Sequence, residues 1–194
     1  MSQTIPLSTA HRLVTLEHQV THDEWAHDWS QREERYELVD GVPLMSPSER
    51  PRNRDATSRL QLLLALALGP SWSYQQDSDV SVRPEAPLTY RIPDFVLLRP
   101  RADLDHHPLD PRDISLVAEA LSPATREDDL GRKRLDYASV DIPNYLIIDR
   151  ERTPRLTLLT DPAEGDYRTE QAGETVTLHI AGHDIEINAA DIIR

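Results

Sequence analysis

Four residues can do chemistry together if the fold lets them meet. Asp94 follows Pro93 at the head of the apolar run 95–98. Glu119 lies near the end of a second apolar run, 114–121, between Ala118 and Ala120. Lys133 follows on a helical pattern, and Glu37 stands between Tyr36 and Leu38. A carboxylate inside an apolar strand is costly to desolvate unless something pairs with it. If the strands of Asp94 and Glu119 are neighbours, the two carboxylates can converge on a hard divalent cation. Mg²⁺ takes oxygen ligands, keeps several waters, and commonly uses one or two carboxylates with a phosphate oxygen. Such an ion polarises a phosphoryl group, and a nearby ammonium can orient water or offset charge in the transition state. A structural ion pair, or a Glu119 turned to solvent, would use the same residues without chemistry.

Lys133 stands out by number: the chain has 20 arginines and this one lysine. Arginine stays protonated and forks its donors, whereas a lysine ammonium is compact and its pKa can move. The excess of arginine also fits GC-rich coding, which carries no information about activity.

The 194 residues suit one domain. Cysteine is absent, which excludes disulfide frameworks, thiolate metal sites and cysteine nucleophiles. A net charge of −13 argues against a broad surface that coats nucleic acid, though not against a local cationic groove. The longest apolar run, 60–68, interrupted by Gln61, would span only about 13 Å as a helix, too short for a bilayer. The polar opening MSQTIPLSTAHR lacks an apolar leader core, so a cytoplasmic protein without membrane contact is expected. With six glycines and no glycine-rich phosphate loop, no nucleotide cofactor is expected.

Positioning elements can be read around these residues. Residues 1–20 have weak periodicity and read as a possible mobile arm, followed by one domain over 21–194. Thr21 and Glu24 form a capping-box pattern ahead of a helix with Trp25 and Trp29 on one face. Residues 36–39 and 42–45 flank Asp40–Gly41, a hairpin signature. Residues 46–51 read as loop and 53–68 as a helix ended by Gly69–Pro70. Strands are expected at 72–76, 80–83, 90–98, 114–121 and 144–149, with a helix from Ser122–Thr125 to about 140. Asp129, Lys133 and Tyr137, four apart, share a face of that helix. LTLLT, TVTLHIAG and DIEIN give a β-rich C-terminal section with turns at Glu164–Gly165 and Ala172–Gly173. The fold class is α+β.

The segments RYELVDGVPLMSP, RIPDFVLL and VAEALSPATREDDLGRKRLDYASVDIPNYLIID resemble the Uma-type family of putative restriction endonucleases, assigned to the PD-(D/E)XK nuclease superfamily. The resemblance covers roughly 21–194, and EALSPATREDDLGRKRLDYA is its most specific part. It implies a restriction-endonuclease-like mixed β-sheet core flanked by helices, with a C-terminal β-rich extension. It also implies a metal-dependent nuclease acting on DNA as a homodimer. Asp94 matches the acid after proline and Glu119 the acid of the second motif. These would hold Mg²⁺, or Mn²⁺, with the carbonyl of Ala120 as a further ligand. The superfamily's commoner lysine position is Leu121 here, and Lys133 matches a lysine moved to the next helix. Glu37 matches the acid of the first hairpin strand. The chain departs from the family where a histidine often follows the Met-Ser-Pro loop; Arg52 and Asn53 are nearest here. Asp141 replaces a usual glycine.

Residues 50–59, RPRNRDATSR, hold four arginines and one aspartate. Arg52 and Arg54 could grip phosphate at the helix start, or simply be solvated. Arg126, Arg132 and Arg134 are expected to neutralise Asp128, Asp129 and Asp136. His179 and His183 lack the helical geometry that gives their spacing meaning for a metal. Ser122 lacks the context of a serine nucleophile. A nuclease-like domain that binds a protein partner without turnover is the competing reading.

Overall fold

The structure is a computed structural model that describes residues 12–13, 18–46 and 50–194. The expected arm therefore falls largely outside the described residues. Its described part, Arg12–Leu13 (β1), pairs with a later strand, and Val20 is buried.

Helix α1, His22–His27, starts at the expected capping box, with Thr21 and Glu24 satisfying each other's backbone N–H. The hairpin follows as β2 (Tyr36–Val39) and β3 (Val42–Met45), and Asp40 and Gly41 turn it at positive φ. Helix α2 spans Pro51–Leu68 and begins two residues earlier than expected. Proline at its first turn forfeits no helical hydrogen bond, since that N–H has no partner anyway. Strands β4 (Ser73–Gln75) and β5 (Val80–Arg83) come next.

The single strand expected over 90–98 is two strands, β6 (Thr89–Arg91) and β7 (Phe95–Leu98). They belong to different sheets. Pro93 lacks the N–H that a continuous ladder needs, so the chain leaves one sheet and enters the other between 91 and 95. β8 (Ile114–Ala120) follows. The one helix expected to about residue 140 is α3 (Arg126–Leu130) and α4 (Arg132–Ser139), broken at Gly131. A Cβ at Gly131 would stand 3.0 Å from the Glu127 carbonyl, a closeness that favours glycine at the break.

β9 (Asn144–Ile148) leads to β10 (Leu156–Ala163) and β11 (Asp166–Gly173). Then come β12 (Thr175–Ile180), β13 (His183–Asn188) and α5 (Ala189–Ile192).

The first sheet runs β1-β3-β2-β6-β5, all antiparallel. The second runs β11-β10-β9-β8-β7-β4 and is mixed: β8 and β9 are parallel, its other pairs antiparallel. A parallel pair needs a crossover, which α3 and α4 supply. α2 lays Ala56, Leu60, Leu64 and Leu68 on one face of the second sheet, against Phe95, Leu97, Leu116 and Leu146. The opposite face carries Val96, Val117, Tyr145 and Ile147 and packs on Tyr137 and Ala138 of α4. In the first sheet Tyr36, Leu38 and Tyr90 pack with Trp25 and Trp29. Strand alternation then turns Glu37 and Arg91 away from α1, and turns Glu119 with Val117 toward α4.

Candidate active site

Four elements deliver the four sequence-derived residues to one place. Glu37 comes from β2, Asp94 from the residue before β7, Glu119 from β8 and Lys133 from α4. All four line a cavity of about 150 Å³, together with Arg35, Arg50, Asn53, Ala120 and Asp129. All four are buried. Arg52 is exposed on α2 and is not part of this lining. Arg54 lines the neighbouring cavity and pairs with Asp77.

Lys133 Nζ stands 2.9 Å from Glu119 Oε1, 3.1 Å from Glu37 Oε1 and 3.2 Å from Asp129 Oδ1. The helix break at Gly131 leaves the expected neighbourhood of Asp129 and Lys133 intact. Tyr137, one turn further, donates from Oη to Glu119 Oε1 at 2.9 Å. Tyr145 Oη caps the Asp129 carbonyl at 2.8 Å. Asp94 accepts the backbone N–H of Ala120 at 2.9 Å, which ties the head of β7 to the end of β8. Asn53 donates from Nδ2 to the Ala120 carbonyl at 2.7 Å. A carbonyl has a second lone pair, so Ala120 keeps one to offer.

One ammonium cannot balance this many carboxylates. Burial alone would strip Lys133 of its proton, but Glu119, Glu37 and Asp129 hold its pKa well above the ordinary lysine value. Glu37 is likewise disfavoured by burial, yet Lys133 and Arg91 keep it well below the usual carboxylate range. The surplus falls on the others. Burial raises Glu119 well above its ordinary value, Lys133 opposing and Asp94, Asp129 and Glu37 adding to the rise. Burial also raises Asp94, against Lys133 and Arg35. It pushes Asp129 up to about 6, against Lys133. A site that draws protons onto its carboxylates in this way favours any added positive charge.

Among the described residues no group of three or more His, Asp and Glu side chains is arranged to hold a metal ion. Asp94, Glu119 and the Ala120 carbonyl are all hard oxygen donors beside the cavity. That set fits an ion that takes two carboxylates and retains water, and not one that demands a full protein cage. His179 stands exposed beside Asp184, away from this cluster.

Three features were missed from the sequence. Arg91 is fully buried, with Nη1 2.9 Å from Glu37 Oε2 and 3.0 Å from Asp128, and Nε 2.7 Å from Asp136. Arg35 reaches Asp77 at 2.6 Å and Asp94 at 3.7 Å. The pairing expected for the helix arginines is corrected: Arg126 meets Asp149, Arg132 meets Asp40 and Arg134 meets Asp166. Arg91 takes Asp128 and Asp136 instead, because it enters from β6 already buried. The signal available was an arginine three residues before Asp94 in a strand otherwise apolar.

A mixed sheet with α2 on one face and α3–α4 on the other, and acidic residues at adjacent ends of its central antiparallel strands, defines a restriction-endonuclease-like α+β protein. The model of the Uma2 family, described as "putative restriction endonuclease", matches residues 22–190, and the chain belongs to that family. A crystal structure described as "a putative nuclease belonging to DUF820", from Anabaena variabilis, is similar in fold, with a TM-score of 0.65. The two are 11% identical in sequence, over 89% of this chain and 97% of that one. No curated protein matches the chain.

Proposed function

We propose that the protein hydrolyses phosphodiester bonds in DNA with Mg²⁺, or Mn²⁺ in its place. The observation that carries this reading is the meeting of Asp94, Glu119 and Lys133 at one small cavity, from three separate elements, in a family described as "putative restriction endonuclease". Asp94 and Glu119 would hold the ion, with the Ala120 carbonyl as a further oxygen. When bound, the ion polarises the phosphoryl group and offsets its developing charge.

Lys133 gives all its directions to carboxylates in this state. Turning Nζ away from Glu119 Oε1 frees one donor to orient the attacking water. Attack in line on phosphorus breaks the bond to the 3′ oxygen and leaves a 5′ phosphate. Glu37, itself fixed by Arg91 and by the N–H of Ile92 at 3.0 Å, anchors the ammonium through the movement. Symmetric cutting of both strands would use two such sites, and with the family resemblance this makes a homodimer, acting on DNA in the cytoplasm, part of the proposal. Among the described residues no helix is long and apolar enough to cross a membrane.

Nicking of supercoiled plasmid in Mg²⁺ or Mn²⁺, set against Glu119→Ala protein prepared identically, tests the reading. Loss of nicking in that variant is expected. Equal nicking by both proteins would assign the activity to a contaminant. Calorimetry gives a second check: Asp94→Asn should abolish Mg²⁺ binding, and an unchanged isotherm would remove Asp94 from the site. The charge of −13 favours a second reading, a domain that binds a protein partner without turnover. Folded protein inert toward plasmid with both ions would select it.

A further inference from the structure

Arg35 has a place in the site and no task in the reaction above. It lines the 150 Å³ cavity and also a larger neighbour of about 640 Å³, and the two cavities share Ser46 and Ile92 as well. Its Nη2 donates to the Ile92 carbonyl at 2.5 Å and lies 3.7 Å from Asp94. Its Nη1 lies 2.6 Å from Asp77 Oδ1, and its buried Nε has no hydrogen-bond partner among the described residues. The second oxygen of Asp77 is 3.3 Å from Arg54 Nη2, on the first turn of α2. One carboxylate is thus gripped by two guanidiniums from two elements, where the cavities adjoin. Asp77 is presented from a left-handed backbone, φ 54°, which aspartate and asparagine adopt more readily than other side chains.

Stability explains the Arg54 half of this grip poorly. The Asp77 side chain is 35% exposed and that of Arg54 is 56% exposed. Ion pairs that wet contribute about 0–1 kcal/mol. The arrangement does match what a phosphate would need, because a carboxylate and a phosphodiester present the same pair of oxygens to a guanidinium fork.

We propose that Arg35 and Arg54 form a seat for one DNA backbone phosphate beside the scissile one, and that the Asp77 carboxylate fills this seat until DNA displaces it. The inference rests on DNA being the substrate. Arg35 is the link, since its guanidinium spans from the seat to Asp94 and so sets the distance between the seated phosphate and the reacting one. The placeholder also explains how a strongly acidic chain carries a cationic grip: the grip is masked by its own carboxylate until a competing polyanion arrives.

The test is binding of a fluorescein-labelled duplex, read by anisotropy in EDTA so that cleavage plays no part. Asp77→Asn keeps a residue that tolerates the left-handed backbone and removes only the charge. It should bind about fivefold tighter than wild type. Arg35→Ala and Arg54→Ala should each bind at least about tenfold more weakly, with a salt dependence shallower by about one unit. If Arg35→Ala fails to fold, Arg54→Ala, altered at an exposed position, and Asp77→Asn still decide. Wild type that nicks plasmid, with Asp77→Asn and Arg54→Ala binding as wild type does, overturns the seat and leaves the nuclease reading standing. If neither wild type nor Asp77→Asn binds the duplex, DNA is not the anion and both readings fall.

Discussion

Arg91 and Lys133 are each a buried cation among three carboxylates, and they share Glu37. Their surroundings differ. Arg91 has no exposed surface and lines no part of the 150 Å³ cavity, and its fork satisfies Glu37, Asp128 and Asp136. Lys133 opens onto the cavity, next to Asp94, which among the described residues no ammonium or guanidinium approaches within 3 Å. Arginine can satisfy several carboxylates at once and cannot give up its proton. The sealed cluster is therefore a strut that fixes Glu37 and clamps α3 and α4 to β6. The open cluster keeps a surplus of carboxylates around one ammonium at the wall of a cavity, the arrangement on which the proposed function rests.

That contrast can be broken experimentally. The largest effect belongs to the strut. Arg91→Ala strands three buried or half-buried carboxylates and should cost about 4 kcal/mol of unfolding free energy, or prevent folding. A denaturant melt followed by far-ultraviolet circular dichroism measures it, and a loss below 1 kcal/mol would show that the cluster is not a strut. Next come the cavity residues. Glu119→Ala and Lys133→Arg should each lower plasmid nicking at least about a hundredfold while remaining folded by circular dichroism at the assay temperature. The bulkier guanidinium of Lys133→Arg cannot take the place of the ammonium among three carboxylates. Retained cleavage in that variant would count heavily against its role.

A third effect separates the clusters by pH. Asp129 moves from 3.8 toward about 6 on folding, because burial disfavours its charge more than Lys133 restores it. The folded chain then binds more protons than the unfolded chain between about pH 4 and 6, so stability falls as pH rises through that window. Glu119 and Asp94 shift in the same direction. In EDTA the protein should melt lower at pH 7.5 than at pH 5, by an amount on the order of 2 kcal/mol. Asp129→Asn should flatten the profile, and Mg²⁺ should restore stability more at pH 7.5 than at pH 5. The smallest effect is Tyr137→Phe, which removes the hydrogen bond to Glu119 and should cost about 1 kcal/mol in the same melt.

The residues that bear charge inside apolar strands were legible in the sequence, because burial of Asp94, Glu119 and Glu37 demands an explanation before any fold is known. The capping box at Thr21 and the hairpin at Asp40–Gly41 were legible for the same local reason. What failed was non-local. The run 90–98 looks continuous until two sheets compete for it and Pro93 decides. β11 was missed because 166–173 is polar, an edge strand that borrows its order from β10. The partners of Arg126, Arg132 and Arg134 were misjudged because sequence neighbours are poor guides once a buried Arg91 claims the nearby carboxylates. The pairing of Arg35 could not be read at all, since it depends on Asp77, which arrives on the link from β4 of one sheet to β5 of the other.

The passage of the chain at 92–94 has one more consequence. Three extended residues reach only about 10 Å, so the sheet that supplies Glu37 and the sheet that supplies Asp94 and Glu119 are joined by a short spine. They cannot part, and the ion pairs of Arg91 and Lys133 hold them together as well. A protease cut at that spine would leave Glu37 and Arg91 on one fragment and the remaining acids with Lys133 on the other, making the cluster a natural point of reassembly for the two halves.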